Sequence, residues 1–488
     1  MSSAPLTFYN SLLRAVELFR PLDPADVRVY SCGPTVYDYA HLGNLRAYVF
    51  TDTLARTLRW KGYSLTHVMN VTDVGHLQSD ADEGADKMEA RARSTGQDIW
   101  AIARHYTDAF KRDLRDLNVR DVDRLPLATD HIAEMIAFAK VIDVRHCYLL
   151  DGGLYFDTTT VPNYGRLAGH LEDGREGRID VVAGKRHPED FAIWRRSAPG
   201  ENRQMEWESP WGRGAPGWHL ECSVMSRLYL GERFDIHTGG IDHREIHHPN
   251  EIAQNQAYHR ACHGHADEAG FTGATVWMHN NFLVERAGKM SKSSGGFLTL
   301  QAAVDRGFHP LAYRLMCLQA HYRSEMEFSW DGLAAAATRL KRLVQAIGAL
   351  RTRADAEEQN DALGLTPTIT GRLDDFDQAI SDDLSTPRAL VSLDRLLALK
   401  NERPALLLSA AARMDEVLGL SLLSLDRADL RVHPANATID PPAIEASLAE
   451  RRGARADGDF PRADAIRHDL AQAGVDVMDG DPLGWDWK

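Results

Sequence analysis

The chain has 488 residues, 44% of them hydrophobic and 26% charged. That length exceeds one ordinary domain and that balance excludes global disorder, so roughly two to four folded units are expected. The formal net charge of −14 excludes indiscriminate nucleic-acid binding but not a local basic RNA site, and no apolar run is long enough to span a bilayer.

The five cysteines, Cys32, Cys147, Cys222, Cys262 and Cys317, are irregularly spaced and include no CxxC pair. A disulfide framework is therefore not expected, and any metal site must gather ligands from distant parts of the chain. The opening residues, MSSAPLTFYNSLLR, lack the basic start and apolar stretch of a secretory signal, so a cytoplasmic location is expected.

Residues 27–32, VRVYSC, read as a short strand, followed by a turn, GPTVYDYAHLGN. Leu45, Val49, Leu54 and Leu58 then mark a helix closed by Gly62, and residues 64–71 read as a second strand. Strand, helix and strand make a βαβ unit of a parallel nucleotide-binding sheet. Residues 140–215 break the rhythm with short β-like pieces (CYLL, LYFDTT, IDVV) and read as an insertion. The α/β pattern resumes at 217, with strands FDIH at 234–237 and VWMH at 276–279 around a helix after 248. Beyond about 300, Leu333, Leu340, Leu343, Ile347 and Leu350 share one helical stripe, a second amphipathic stretch covers 372–400, and a helical bundle is expected. Residues 351–368 and 425–441 read as linkers, and 442–488 as two helices, the second with Asp459 as N-cap and Pro461 in its first turn.

Two short motifs carry chemistry. HLGN, His41 to Asn44, falls where the first strand turns into its helix, and a helix N-terminus offers unpaired N–H groups to phosphate. Gly43 permits close approach, and His41 and Asn44 add side-chain donors; alone, the pair could equally serve as helix caps. KMSKS, Lys289 to Ser293, sets two lysines on a small loop able to close on a triphosphate.

Together and in this order, the two motifs resemble the signature pair of class I aminoacyl-tRNA synthetases. CGPTVYD at 32–38, GWHLECS at 217–223, FDIHTGG at 234–240 and HHPNEIAQ at 247–254 extend the resemblance to the cysteinyl-tRNA synthetase family. The resemblance implies an α/β fold: a Rossmann-like catalytic domain over 1–139 and 216–300, split by a connective insertion at 140–215. A stem-contact and helical-bundle tRNA-binding region over 301–425 and a small C-terminal anticodon-binding segment over 426–488 follow from it too.

Carried onto this chain, the family's zinc site falls on Cys32, Cys222, His247 and Glu251. Two thiolates, an imidazole and a carboxylate form a reasonable zinc set, and zinc prefers a thiolate to a hydroxyl. A metal that binds the substrate's own sulfur would separate cysteine from serine, which a hydrophobic pocket does only modestly. The resemblance further assigns Thr72, Trp218 and His237 to the cysteine pocket, with Asp73 and His219 beside them. Gly239, Gly240 and Asp242 join His41, Gly43, Asn44, Lys289 and Lys292 at ATP. In this reading His41, Asn44, Lys289 and Lys292 stabilise charge as cysteine attacks the α-phosphorus of Mg²⁺-bound ATP, and tRNA(Cys) then takes the cysteinyl group. A monomer with no membrane partner is expected.

Two stretches depart from the commoner family pattern: VGHLQSDADEGADKM after Asp73 and SGG after KMSKS. They put loop behaviour in doubt rather than any proposed ligand. The rival readings are a cysteine ligase of thiol biosynthesis with an amino-sugar acceptor, and a non-catalytic RNA-binding relative. The long C-terminal region and Glu251 favour the synthetase over the first, and the intact motifs favour it over the second. In the last segment Arg451, Arg452, Arg455, Arg462 and Arg467 either contact the tRNA anticodon or pair with Asp457, Asp459, Asp464 and Asp469, and Trp485 and Trp487 either stack on bases or anchor the tail.

Overall fold

The structure is a computed structural model that describes residues 4–74, 87–169, 184–198, 200, 203–264, 270–285, 288–289, 298–356 and 364–488. A hairpin of β1 (Thr7–Asn10) and β2 (Ala15–Leu18) leads to β3 (Val27–Ser31). Helix α1 (Leu42–Trp60) follows, then β4 (Leu65–Met69), which lies parallel to β3 with Tyr30 opposite Val68. His41 and Asn44 cap α1 reciprocally: Asn44 N–H donates to His41 Nδ1 at 3.1 Å and His41 N–H to Asn44 Oδ1 at 3.3 Å. The chain leaves α1 through Gly62, at φ 88°, a conformation that favours glycine. Helices α2 (Lys87–Thr95), α3 (Ile99–Asp116) and α4 (Ile132–His146) come next.

The insertion is a four-stranded antiparallel sheet of β5 (Cys147–Leu150), β6 (Gly153–Phe156), β7 (Phe191–Arg196) and β8 (Gly214–Pro216). CYLL and LYF stand as strands; IDVV lies outside the described residues, and β7 carries the third strand instead. Helix α5 (Trp218–Leu230), β9 (Phe234–Gly240), α6 (His247–His263) and β10 (Ala274–Asn280) complete the main sheet. Helix α6 starts at His247 rather than after 248, and Pro249 fits its first turn because no intrahelical N–H is needed there. The sheet is parallel, in the order β10-β9-β3-β4. The β3-to-β4 connection runs one way from the centre and the β9-to-β10 connection the other. The crevice between the carboxyl ends of β3 and β9 is thus the place where such a sheet binds ligands.

Next come β11 (Leu283–Glu285), β12 (Gly288–Lys289), α7 (Leu300–Val304), α8 (Pro310–Leu318) and β13 (Met326–Glu327). The bundle is α9 (Trp330–Asp355), α10 (Pro367–Ser381), α11 (Thr386–Leu397) and α12 (Pro404–Leu418). The expected stripe on α9 is buried, and its leucines join one apolar core with Leu42, Leu45 and Val49 of α1. The stretch at 372–400 is not one helix. It breaks at Asp383 and Leu384, where φ is 49° and 55°. The linker expected at 351–368 is shorter, because α9 runs to Asp355 and α10 begins at Pro367. Residues 425–440 hold no helix or strand, yet they dock: Leu430 is buried in the bundle core and Ala435 N–H donates to Asp305 O at 2.8 Å.

Asp52 of α1 ties the parallel sheet region to the bundle. Its Oδ2 accepts from Arg56 Nε at 2.6 Å and from Arg314 at 2.6 Å, all three side chains being buried. The final unit is α13 (Pro441–Ala456), α14 (Phe460–Gln472) and a hairpin of β14 (Val475–Val477) and β15 (Trp485–Trp487), around Ile444, Leu448, Ile466, Leu470 and Trp485. Among the described residues no helix is long and apolar enough to cross a membrane.

Candidate active site

A cavity of about 430 Å³ opens at the crevice between β3 and β9. Cys32 follows the last residue of β3, Cys222 sits on α5, and His247 and Glu251 occupy the first two turns of α6. One ligand atom from each of the four lies within 4.8 Å of the others. Cys32 Sγ is 3.9 Å from Cys222 Sγ and 4.0 Å from Glu251, while His247 Nε2 is 3.1 Å from Glu251 Oε1.

The electrostatics of this group call for a cation. The Cys222 thiol is pulled down to about 6, first by its contact with Cys32, against burial, and further by His247. Burial and that neighbouring charge push Cys32 well up. Burial would raise Glu251 and lower His247, but His237 and His247 hold Glu251 down to about 2, and Cys222 and Glu251 hold His247 up at about 10. The ionised forms of Cys222 and Glu251 are thus favoured by positive charge beside them. A zinc ion fits this donor set, since it would supply that charge and leave the imidazole neutral.

The surroundings orient the four groups. His219 Nδ1 lies 2.8 Å from His247 Nδ1, leaving Nε2 to face Glu251, and Trp218 packs on the His247 ring at 4.4 Å between centroids. Such a partner on the second ring nitrogen fixes the orientation of a ligating histidine. His237 does not line the cavity. It is buried, its ring stacks on Trp277 at 4.5 Å, and its Nε2 lies 2.9 Å from Glu251 Oε2.

His248, which sequence reasoning passed over, sits 3.3 Å from Cys32 Sγ and could form a second donor group with Cys32, His237 and Glu251. The group with both cysteines is the better zinc set, because it offers two thiolates to a borderline-soft ion where the other offers one. The adjacent His247–His248 pair was the available signal.

Thr72 lines the cavity, its hydroxyl donating to Glu221 at 2.7 Å, whereas Asp73 turns away to accept from Thr129 at 2.9 and 2.6 Å. Asn70 is a second addition: it lines the cavity and accepts from Gly33 N–H at 2.9 Å. Any side chain at Gly33 would put its Cβ 1.5 Å from the Asn70 carbonyl, so the close approach of the β3 and β4 ends requires glycine.

His41, Gly43, Asn44, Gly240 and Asp242 line the same cavity. Gly239 is not among its lining residues; a Cβ there would lie 2.7 Å from His248, so it acts as a spacer under the site. Lys289 ends β12, with its backbone opposite Val284 of β11, next to cavity-lining Leu283. Lys292, the SGG run and most of the acidic stretch after Asp73 lie outside the described residues.

Comparison with known proteins decides the family. The sequence model described as the tRNA synthetases class I (C) catalytic domain matches residues 18–338, and that described as the cysteinyl-tRNA ligase anticodon binding domain matches 441–482. A cysteine–tRNA ligase of Novosphingobium aromaticivorans is 60% identical over 486 residues, covering 100% of this chain and 97% of that one. The chain belongs to the cysteine–tRNA ligase family. Another member, from Zymomonas mobilis, is 55% identical over 514 residues and covers 100% of this chain and 98% of its own. Among solved structures, Mycobacterium tuberculosis methionyl-tRNA synthetase bound by methionyl-adenylate superposes with a TM-score of 0.53 at 15% identity, covering 83% of this chain and 92% of that one. An Agrobacterium radiobacter LeuRS complex with tRNA gives 0.58 at 12%, covering 94% and 95%. These two share the fold: a class I α/β catalytic domain continued by helices.

Proposed function

We propose that this member of the family activates L-cysteine with ATP, forms cysteinyl adenylate and pyrophosphate, and transfers the cysteinyl group to tRNA(Cys), releasing AMP. One observation carries the reading. Cys32, Cys222 and His247, grouped with Glu251, line the same cavity as His41, Gly43 and Asn44 of the helix start. Zinc held by those four would supply a borderline-soft Lewis acid that favours a substrate thiolate over a hydroxyl. Trp218 packs on His247, and Thr72 and Asn70 line the same cavity.

His41 and Asn44 present the α1 N-terminus to the phosphates of Mg²⁺-bound ATP, and Asp242 offers a carboxylate to a ribose hydroxyl. Lys289 and Lys292 are proposed to neutralise charge as pyrophosphate leaves. The protein mostly positions the reacting groups, and no side chain is required as a general base. The unit matched to the anticodon-binding domain favours tRNA over an amino sugar as acceptor, and residues 426–488 are proposed to serve the anticodon end. A monomer suffices in this reading, because one chain supplies every donor named above.

Cysteine-dependent ATP–pyrophosphate exchange tests the first step, and charging of tRNA(Cys) the second. Serine should barely support exchange. Equal rates with serine would remove the role given to the metal.

A further inference from the structure

A second metal site lies at the far end of α6. The helix carries His247 and Glu251 in its first turns and His259 and His263 near its end. Twelve residues of helix separate His247 from His259, about 18 Å along the axis. His259 and His263 are four apart and so share one face of the helix. Facing them is Glu232, in the turn between α5 and β9. His263 Nε2 lies 3.1 Å from each oxygen of that carboxylate, and His259 Nδ1 lies 3.5 Å from Oε2.

We infer that His259, His263 and Glu232 bind a divalent transition-metal ion, separate from the quartet in the cavity. Three observations carry this. The first is the spacing. Two ligands on one zinc at about 2.0–2.1 Å, in tetrahedral geometry, stand about 3.3 Å apart. The distances to Glu232 Oε2, 3.1 Å from His263 and 3.5 Å from His259, bracket that value. The second is chemistry. Two imidazoles and a carboxylate suit zinc, nickel or copper and do not suit the oxygen-seeking magnesium or calcium. The third is that the donors are held and one of them is unmatched. The His259 ring stacks on Phe271, 4.0 Å between centroids and 7° from parallel, so its direction is set. Its Nδ1 is buried and makes no hydrogen bond. Arg227 binds Glu232 through Oε1, which leaves Oε2 turned to the histidines.

His263 is half exposed and Glu232 partly exposed, so an ion can enter from solvent and complete its shell with water. Once bound, it would tie the last turns of α6 to the α5–β9 turn. It has no part in cysteine recognition.

Metal counting on the full-length protein tests this. Protein loaded with one equivalent of zinc chloride is titrated further with zinc, and bound metal is measured after gel filtration. The parent should take up a second, weaker equivalent. His263→Gln and Glu232→Gln should each weaken that equivalent at least tenfold and leave the first unchanged. Cobalt separates the two sites: the quartet gives a thiolate-to-cobalt charge-transfer band, and the new site adds only the weak visible bands of nitrogen and oxygen ligands. His263 is exposed enough that its variant should fold, and magnesium in place of zinc should not be retained. A parent that saturates at one equivalent overturns the proposal. So does a second equivalent that neither variant changes, or one that brings a further thiolate band.

Discussion

Replacing Asp52 by asparagine should cost the protein far more than removing a surface charge. Asp52 is buried on α1, with Arg56 Nε and Arg314 each 2.6 Å from Oδ2 and Arg120 N–H 3.0 Å from Oδ1. Both guanidinium groups are also spent on backbone: Arg314 on the carbonyls of Leu418 and Leu117, Arg56 on those of Glu416 and Asn118. They cannot swing to solvent when the carboxylate charge goes, so two buried cations lose their counterion. Breaking a buried pair in this way costs about 3–5 kcal/mol, against about 0–1 kcal/mol for an exposed pair. Burial alone would raise the Asp52 carboxyl, but Arg314 and Arg56 hold it below its ordinary value. Its contribution is therefore full above the unfolded carboxylate value of about 4 and is lost as pH falls through the lower folded value. Urea unfolding followed by tryptophan fluorescence measures the effect, since Trp60 at the end of α1 packs on Phe376 of the bundle. The gap between parent and Asp52→Asn should be widest near neutral pH and narrow in acid. A loss below about 1 kcal/mol, or a gap independent of pH, would refute the view that this carboxylate joins the catalytic sheet to the bundle.

Three further outcomes are expected. His219→Ala removes the group 2.8 Å from His247 Nδ1, and zinc affinity measured by chelator competition should fall about 10–100-fold, with little change in ATP binding. Gly33→Ala drives a Cβ to 1.5 Å from the Asn70 carbonyl, so cysteine-dependent exchange should be lost even where circular dichroism shows a folded protein. Ending the chain after Asp440, which leaves the docked segment carrying Leu430 and Ala435 in place, should preserve pyrophosphate exchange while charging of full-length tRNA(Cys) falls steeply; undiminished charging would count against an anticodon role.

The sheet and the Cys32–Cys222–His247–Glu251 donor group were legible for different reasons. Short apolar strands around the α1 stripe announce the βαβ unit directly, since the strands of a parallel sheet are buried on both faces. The donor group spans Cys32 to Glu251, and no local spacing brings it together; only similarity to a family placed its members in one site. His248 and Asn70 stayed hidden because a lone buried polar residue looks the same whether it packs or ligates. The break at Asp383 was hidden too: neither Asp383 nor Leu384 is glycine, and their left-handed backbone is held by distant partners, with Tyr322 and Arg323 each donating to the Asp383 carboxylate at 2.6 Å.

The C-terminal arginines show how a missed strand changes an electrostatic argument. The acidic partners considered for them lay on the same helical hairpin, within reach along the sequence. The β14–β15 hairpin supplies a different one. Asp479, just beyond β14, accepts from Arg451 at 2.5 and 2.8 Å and also draws Arg455 to 3.3 Å and Arg467 to 3.5 Å. Arg462 pairs instead with Glu450. Trp485 is likewise committed: it is buried in the small core and its indole N–H donates to Glu445 at 2.7 Å. Three arginines sharing one carboxylate are only part neutralised, since the group keeps a net positive charge. Arg455 and Arg467 are about half exposed, so phosphate can still reach them, whereas Arg451 is buried behind Asp479 and acts as a brace. Replacing Asp479 by asparagine therefore has two separable effects. It loosens the brace on Arg451, which lowers the stability of the small unit, and it raises the net charge of the patch by one, which strengthens general attraction to RNA. Binding of tRNA measured across a salt series should show tighter association at low salt and a steeper slope in the variant. An unchanged slope would mean that this face does not meet the tRNA backbone, leaving the arginines with the bracing role alone.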